Sequence, residues 1–361
     1  MRSVLAAAAI SVPSVLGLAF EPALRSLGHT KTADFFKAHP QYLTPLLAKP
    51  KPLTFVSPSD AAWERLMPSV WGDNEFIGGA YLAYHMITDK IDVAALPENE
   101  RVTYRTAAQA VPRFPLNIGK GVPAAVSFVK SDNEFHVLYR AYDGNDTVRT
   151  TPALVSDEGV TVFSVDSFFD VPNSDVLSVT EGTPHGAVAF DLNEILQYAT
   201  PNADALRNIK KPAAVTLFMP NNTVFGPILK NKSIPPASIA AAFRNAMIKG
   251  AVLHSSQFDK KIVATSSGGQ VLTIEPSPHG TIITSGKETC KLVYTDIEMI
   301  NGIVHIIDCL FSNTAIDEAK AKADSADYLA FTESSKNPKT GKIDGTTPTP
   351  FGAAHKRSNR A

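Results

Sequence analysis

The chain carries no excess of either charge. Its 34 Lys and Arg stand against 35 Asp and Glu, a formal net charge of −1. That balance argues against nucleic acid as a main partner, since neutralising phosphates takes clustered Lys and Arg. Catalytic signatures are missing too. There is no Gly-x-Ser-x-Gly elbow, no His-Glu-x-x-His and no phosphate loop. Gly280 and Gly286-Lys287 are one residue too far apart for a phosphate loop, and neither Ser nor Thr follows the lysine. Asp143-Gly144-Asn145-Asp146 opens like a calcium loop, but its twelfth position is Leu154 instead of Glu. The sequence therefore calls for no cofactor, no metal and no enzyme. A hydrolase built from a histidine, a carboxylate and a nucleophile that meet only in space would leave no such trace. Cysteine is limited to Cys290 and Cys309. Beyond the first twenty residues no stretch is long and apolar enough to cross a membrane.

What is present starts at the N-terminus. Arg2 precedes an apolar run from Val4 to Phe20 broken only by serine, proline and glycine. This is the pattern of a secretory signal, with cleavage expected after Ala19; the alternative is an uncleaved anchor. The 26 prolines are scattered, which favours short strands and turns over long helices. After Asn313 the composition turns polar. Ala315 to Tyr328 reads as a short charged helix, and Ser334 to Ala361 as a disordered tail without the apolar end of a glycolipid anchor.

One stretch occurs twice. Thr54-Phe55-Val56-Ser57-Pro58-Ser59-Asp60-Ala61-Ala62-Trp63 is echoed by Thr216-Leu217-Phe218-Met219-Pro220-Asn221-Asn222-Thr223-Val224-Phe225. In each, a short apolar strand ends at a proline, Pro58 or Pro220, which cannot extend a ladder. Polar residues follow that can cap a helix: Ser59 or Asp60 in one copy, Asn221 or Asn222 in the other. The aromatic, Trp63 or Phe225, sits one turn into that helix. A second echo closes each half, Gly159 to Phe169 and Asn301 to Phe311: a glycine turn, an apolar strand, an aspartate and an apolar exit. Between corner and closing strand, each half has a histidine after a helical segment, in Tyr84-His85 and Leu253-His254, and the two histidines are expected at matching positions. Repeats of this length imply two tandem globular domains, as solenoid repeats are far shorter.

The coarse elements agree with an α+β domain used twice. Residues 25 to 48 read as helical, with interruptions at Pro40 and Pro45. Ala61 to Leu66 and Glu75 to His85 read as helices. Strands are expected at Val102–Val111, Ala124–Val129, Glu134–Tyr139 and Val160–Phe169. In the second half, Leu192–Tyr198, Ala203–Ile209 and Ile239–Ile248 read as helices. Strands are expected at Ala214–Met219, Ala251–His254, Val271–Ile274, Thr281–Thr284, Lys291–Asp296 and Ile303–Ile307.

These residues resemble the fasciclin I domain family, from about residue 25 to about 315. The stretches Thr216–Phe225 and Asn301–Phe311 resemble its two sequence boxes, and Tyr84-His85 resembles its tyrosine–histidine motif. The first half departs from the pattern at Trp63, where phenylalanine is usual, and at Glu158-Gly159, where Asn-Gly is usual. The resemblance implies a β-sandwich or wedge with several short helices packed on it. The expected organisation is a signal peptide over 1–19, fasciclin-like domains over 20–172 and 173–314, and a polar tail over 315–361. It also implies that Tyr84 and His85 contribute to a binding surface. A histidine at a helix-to-strand junction can equally be a buried side chain that satisfies backbone groups. Pro58, Pro220, His254, Gly302 and Asp308 are the expected structural positions of the motifs.

Cys290 and Cys309 flank a predicted hairpin whose turn lies near Met299 to Gly302, which would set them opposite each other. In a secretory chain the pair reads as a disulfide, the alternative being two buried thiols. Asn145-Asp146-Thr147, Asn221-Asn222-Thr223 and Asn231-Lys232-Ser233 are glycosylation acceptors where exposed, although Asn221 can serve as a helix cap instead. The expected function is a non-enzymatic secretory-pathway glycoprotein of adhesion or matrix type. Its partner would be a protein or glycan at a cell surface, matrix or lumen, and its destination extracellular, cell wall or vacuole lumen. A vacuolar protein with a structural or membrane-trafficking role is the competing expectation.

Overall fold

In a computed structural model of the protein, the described residues are 19–47, 53–70, 75–98, 101–109, 123–131, 134–138, 147–149, 151–156, 159–169 and 214–323. They form two compact units. One is built from residues up to 171 and the other from residue 172 on, apart from short stretches between 109 and 123 and between 140 and 146. The N-terminal run to residue 18, the expected helices 192–198 and 203–209, Asn145 and the end of the tail lie outside the described residues.

The first unit opens with three helices, α1 Phe20–Ser26, α2 Thr30–Ala38 and α3 Pro40–Leu47. Pro40 starts the third, where its missing N–H costs nothing. Pro45 lies inside it, contrary to the expected break. Strand β1, Leu53–Pro58, leads into α4, Asp60–Val70, and α5, Glu75–His85. Then come β2 Met86–Ile87, β3 Arg101–Gln109, β4 Pro123–Ser131, β5 Glu134–Leu138, β6 Thr147–Arg149, β7 Thr151–Val155 and β8 Val160–Val165. The sheet order is β6-β5-β4-β3-β2-β1-β8-β7.

The second unit runs β9 Val215–Pro220, α6 Asn222–Asn231, α7 Pro236–Asn245, β10 Met247–Lys249, β11 Ile262–Thr265, β12 Val271–Ser277, β13 Gly280–Ser285, β14 Glu288–Met299 and β15 Gly302–Ile307. Its sheet order is β10-β9-β15-β14-β13-β12-β11. Both units are mixed sheets with short helices. The expected helix Ile239–Ile248 stops at Asn245, and Met247-Ile248 forms edge strand β10 instead. The expected strand Ala251–His254 is irregular chain.

The shared frame is a central strand flanked on one side by a parallel neighbour and on the other by a short antiparallel one. In the first unit, β1 pairs in parallel with β8 and antiparallel with β2. In the second, β9 pairs in parallel with β15 and antiparallel with β10. All six residues of β1 and all six of β9 are buried, as expected where both faces of a strand are covered. The pleat divides β9 accordingly. Val215, Leu217 and Met219 join the core under α6 and α7 with Phe225, Ile239 and Phe243, while Phe218 joins the opposite core with Ile262, Ile274 and Ile283.

The two corners match atom for atom. Ser59 Oγ accepts from Ala62 N, and Asn221 Oδ1 accepts from Val224 N at 3.2 Å. Ser59 N donates to Val165 O and Asn221 N to Ile307 O, so each cap residue also extends the parallel ladder. Asp60 and Asn222 are not the caps; the Asp60 carboxylate takes Lys31 N. Trp63 and Phe225 fill equivalent buried sites, the first donating its indole N–H to Thr32 Oγ1 and the second stacked on Phe243 at 5.5 Å.

Two expected equivalences are corrected by strand register. Thr54 faces Ile87 and Thr216 faces Ile248, so the counterpart of His85 is Ala246 and that of Tyr84 is Asn245. Thr54 Oγ1 accepts from Ile91 N and Thr216 Oγ1 from Leu253 N, which makes Asp92 the counterpart of His254. Likewise Val160 lies opposite Leu53 and Gly302 opposite Val215, so Gly159 precedes the position of Gly302 by one residue. Gly159 has φ of 76° and turns the chain. Gly302 is required for another reason, because a Cβ there would overlap the Val215 carbonyl.

Residues 315–323, expected in the polar tail, are fastened to the second unit. Asn245 Nδ2 donates to Asn313 O and Ala315 O, Asp317 N donates to Gly268 O, and Arg244 pairs with Glu318. The hydrogen bond from Arg244 holds the Glu318 carboxyl below its ordinary pKa.

Candidate functional site

Helix α5 delivers Tyr84 and His85 to its last turn, and β2 follows at once, so both side chains are carried against β1. His85 is fully buried and Tyr84 is 3% exposed. His85 Nδ1 donates to Val56 O at 2.7 Å, while Nε2 accepts from Phe169 N at 2.8 Å. Those partners fix the neutral Nδ1–H tautomer. The ring stacks on Phe169 with centroids 3.9 Å apart. Burial drives its pKa down to about 3, against the opposing pull of the Val56 carbonyl. Tyr84 Oη donates to Ala125 O at 3.0 Å, and its ring meets Phe169 edge-on. Together the pair ties the end of α5 to β1, β4 and the exit from β8. Neither side chain is placed to meet a partner directly.

His29, unnoticed in the sequence, does similar work. Its Nδ1 donates to Pro58 O at 2.9 Å and its Nε2 accepts from Ser164 Oγ at 2.6 Å. A lone histidine between α1 and α2 carries no signal of this; the contacts span up to 135 residues.

In the second unit the polar centre is built from other residues. His305, on β15, is fully buried and stacks on Phe218 at 5.5 Å. Its Nδ1 accepts from Asp296 N at 3.2 Å and its Nε2 donates to Leu253 O at 2.8 Å, the opposite tautomer to His85. Asp296 sits on β14 with φ of 59° at an irregularity in the β14–β15 register. Its carboxylate is buried and accepts from Ser255 N at 2.8 Å and from Ser255 Oγ. His254 Nδ1 lies 3.9 Å from Asp296 Oδ1. His254 also opens the 3-10 turn Ser255–Gln257 with a capping box, Gln257 Oε1 accepting from His254 N. Its counterpart Asp92 caps the turn Val93–Ala95 through Ala94 N.

Ser255, His254 and Asp296 thus bring a hydroxyl, an imidazole and a carboxylate together. Nucleophilic activation requires the hydroxyl proton to pass to the imidazole, with the carboxylate behind it. Here the Ser255 proton goes straight to the carboxylate, so the arrangement caps a turn instead of activating an oxygen. The one available sequence signal for this cluster was His305, a polar residue inside the otherwise apolar strand Gly302–Ile307.

Cys290 and Cys309 form a disulfide with Cα atoms 5.4 Å apart, closing the β14–β15 hairpin. Asp308 lies beside them, and donor atoms of the three residues fall within 4.8 Å of one another. Both sulfurs are spent in the bond, and Asp308 Oδ1 already accepts from Lys291 N at 2.7 Å, so its role is to hold the hairpin end. Of the sequons, Asn231, Lys232 and Ser233 are all exposed at the end of α6. Asn221 is half-buried, and its Oδ1 accepts from Val224 N and Thr223 Oγ1. Among the described residues no helix is long and apolar enough to cross a membrane.

Residues 191–313 match the family model of the fasciclin domain. The chain is fasciclin-like, and the matched domain contains the whole β9–β15 frame. Among solved structures it is similar to a FAS1 domain pair from the insect cell adhesion molecule fasciclin I, at 16% identity. That likeness covers 83% of this chain and 98% of the other, with a TM-score of 0.35. No curated protein matches.

Proposed function

We propose that the protein is a non-enzymatic, secretory-pathway glycoprotein that binds a protein or glycan partner as an adhesion or matrix-type module. The observation that carries this reading is the fasciclin domain over 191–313. In this reading the first unit is a diverged second copy. The domains then span 20–172 and 173–314, the latter extended by the fastened residues to 323, and a signal over 1–19 is removed. The disulfide fits an oxidising compartment. Tyr84 and His85 set the shape of the first unit from inside instead of touching the partner, and the catalytic alternative loses ground because Ser255 is bound to Asp296.

An internal tag near Thr346, followed by fractionation and glycosidase treatment, tests this. The expected result is protein in the medium or wall with a glycosidase-sensitive mass, reduced by Asn231→Gln. Retention in an internal lumen would move the assignment to the vacuolar role. An unglycosylated cytosolic protein would overturn both.

A further inference from the structure

In both units the first and last strands of the described frame lie side by side and run parallel. Leu53–Pro58 pairs with Val160–Val165 over six positions, and Val215–Pro220 pairs with Gly302–Ile307 over six. Backbone bonds at the margins lengthen these ladders: Ser59 N to Val165 O at 2.8 Å, Val215 N to Asn301 O at 3.0 Å and Asn221 N to Ile307 O at 2.9 Å. The chain enters β1 or β9 at one end of this ladder and leaves β8 or β15 at the other. A pull along the chain therefore draws the paired strands in opposite directions along their common axis. The evenly spaced bonds of a parallel pair are then strained sideways and together. A hairpin opened from its end loses its bonds one at a time.

We propose that each unit is a shear-type mechanical clamp, and that a further function of the protein is to keep two attachments joined under tension. The clamp rests on strand order alone; its use between two attachments rests on the adhesion reading. The exits from the last strands are secured in keeping with this. After β8, Phe168 and Phe169 are buried, and Phe169 N is held by His85 Nε2. After β15, Cys309 is bonded to Cys290 on β14. Tension arriving from the C-terminal side therefore passes into β14 as well as β15. The hairpin moves as one body and cannot be peeled, and the 19-residue separation between the cysteines cannot extend.

Single-molecule force spectroscopy on the full chain tests the clamp, with the units told apart by the length each releases. Held by its two ends, the second unit is expected to unfold at a force several-fold higher than when the C-terminal tether is moved to Ile300. That residue lies at the β14–β15 turn, where the pull parts the starts of β9 and β15 and unzips the ladder. Circular dichroism of the Ile300-tethered protein checks that its fold is intact. Reduction should lengthen the second unit's release by roughly 65 Å, the span of the freed segment at 3.3–3.6 Å per residue. Equal unfolding forces in the two pulling geometries overturn the clamp. A release that does not lengthen on reduction overturns the part given to the disulfide. Failure of the clamp in a protein found at the cell surface leaves the adhesion reading standing; a strong clamp in a cytosolic protein removes that reading and leaves the clamp.

Discussion

The two units share a strand frame and fill it with different polar residues. At the end of the helix before the short antiparallel strand, the first unit places Tyr84 and His85, the second Asn245 and Ala246. At the middle of the closing strand the second unit has His305, where the first has Phe163. Each unit keeps a neutral histidine against its central strand with both ring nitrogens committed, but it comes from a different element and in a different tautomer. Tyr84 Oη and Asn245 Nδ2 occupy one position and do one job, tying the helix end to distant carbonyls at Ala125 or at Asn313 and Ala315. The frame thus fixes where buried polar bonds are needed, and leaves open which residue supplies them.

The largest difference between the units is expected from a change at His305. Replacing it with Ala removes a buried ring and strands Asp296 N and Leu253 O, each an unmade buried bond of about 1–3 kcal/mol. The expected loss is about 4 kcal/mol in the second unit, read from its chemical-denaturation midpoint. The first unit should be unmoved, which Trp63 and Trp71 report because both tryptophans lie in the first half. The disulfide comes next. Reducing Cys290–Cys309 frees a loop whose closure is worth about 3 kcal/mol, again in the second unit alone.

The first unit should answer to acid through His85. Its folded pKa of about 3 lies below the unfolded value near 6.5, so the folded state disfavours the proton. Its contribution is complete above about pH 6.5 and is lost as pH falls toward 3. Between pH 7 and pH 5 the loss is about 2 kcal/mol, seen as a tryptophan-monitored midpoint shift that is absent in His85→Asn. The smallest effect tests the corner equivalence. Ser59→Ala and Asn221→Ala should each cost about 1 kcal/mol in their own unit, as lost caps do. Thr223→Ala, which removes the sequon and keeps the Asn221 cap, should cost less.

Much of the frame was legible because its parts are local. The strand, proline, cap and aromatic of each corner follow one another in sequence, and α5 has the expected bounds, Glu75–His85. The short antiparallel strands beside β1 and β9 were not legible. Met86-Ile87 and Met247-Ile248 are apolar pairs directly after helices, and at that length helical and extended periods look alike. The pairing of His85 with His254 failed for a related reason. Each follows a helical segment, but equivalence is decided by pairing with β1 or β9, a long-range property that order along the chain does not encode. Asp296 reads in sequence as the end of an exposed strand. Only the left-handed turn at that residue directs its carboxylate inward to Ser255.

The histidines belong to the interior of the frame. Long-range nitrogen–proton NMR of the imidazoles at pH 7 and pH 5 checks this. The prediction is that His85 carries its proton on Nδ1 and remains neutral at both pH values, while His305 carries its proton on Nε2. A His85 signal that titrates near 6.5 with rapidly exchanging tautomers would contradict the account, and would return Tyr84 and His85 to the surface as residues that meet a partner.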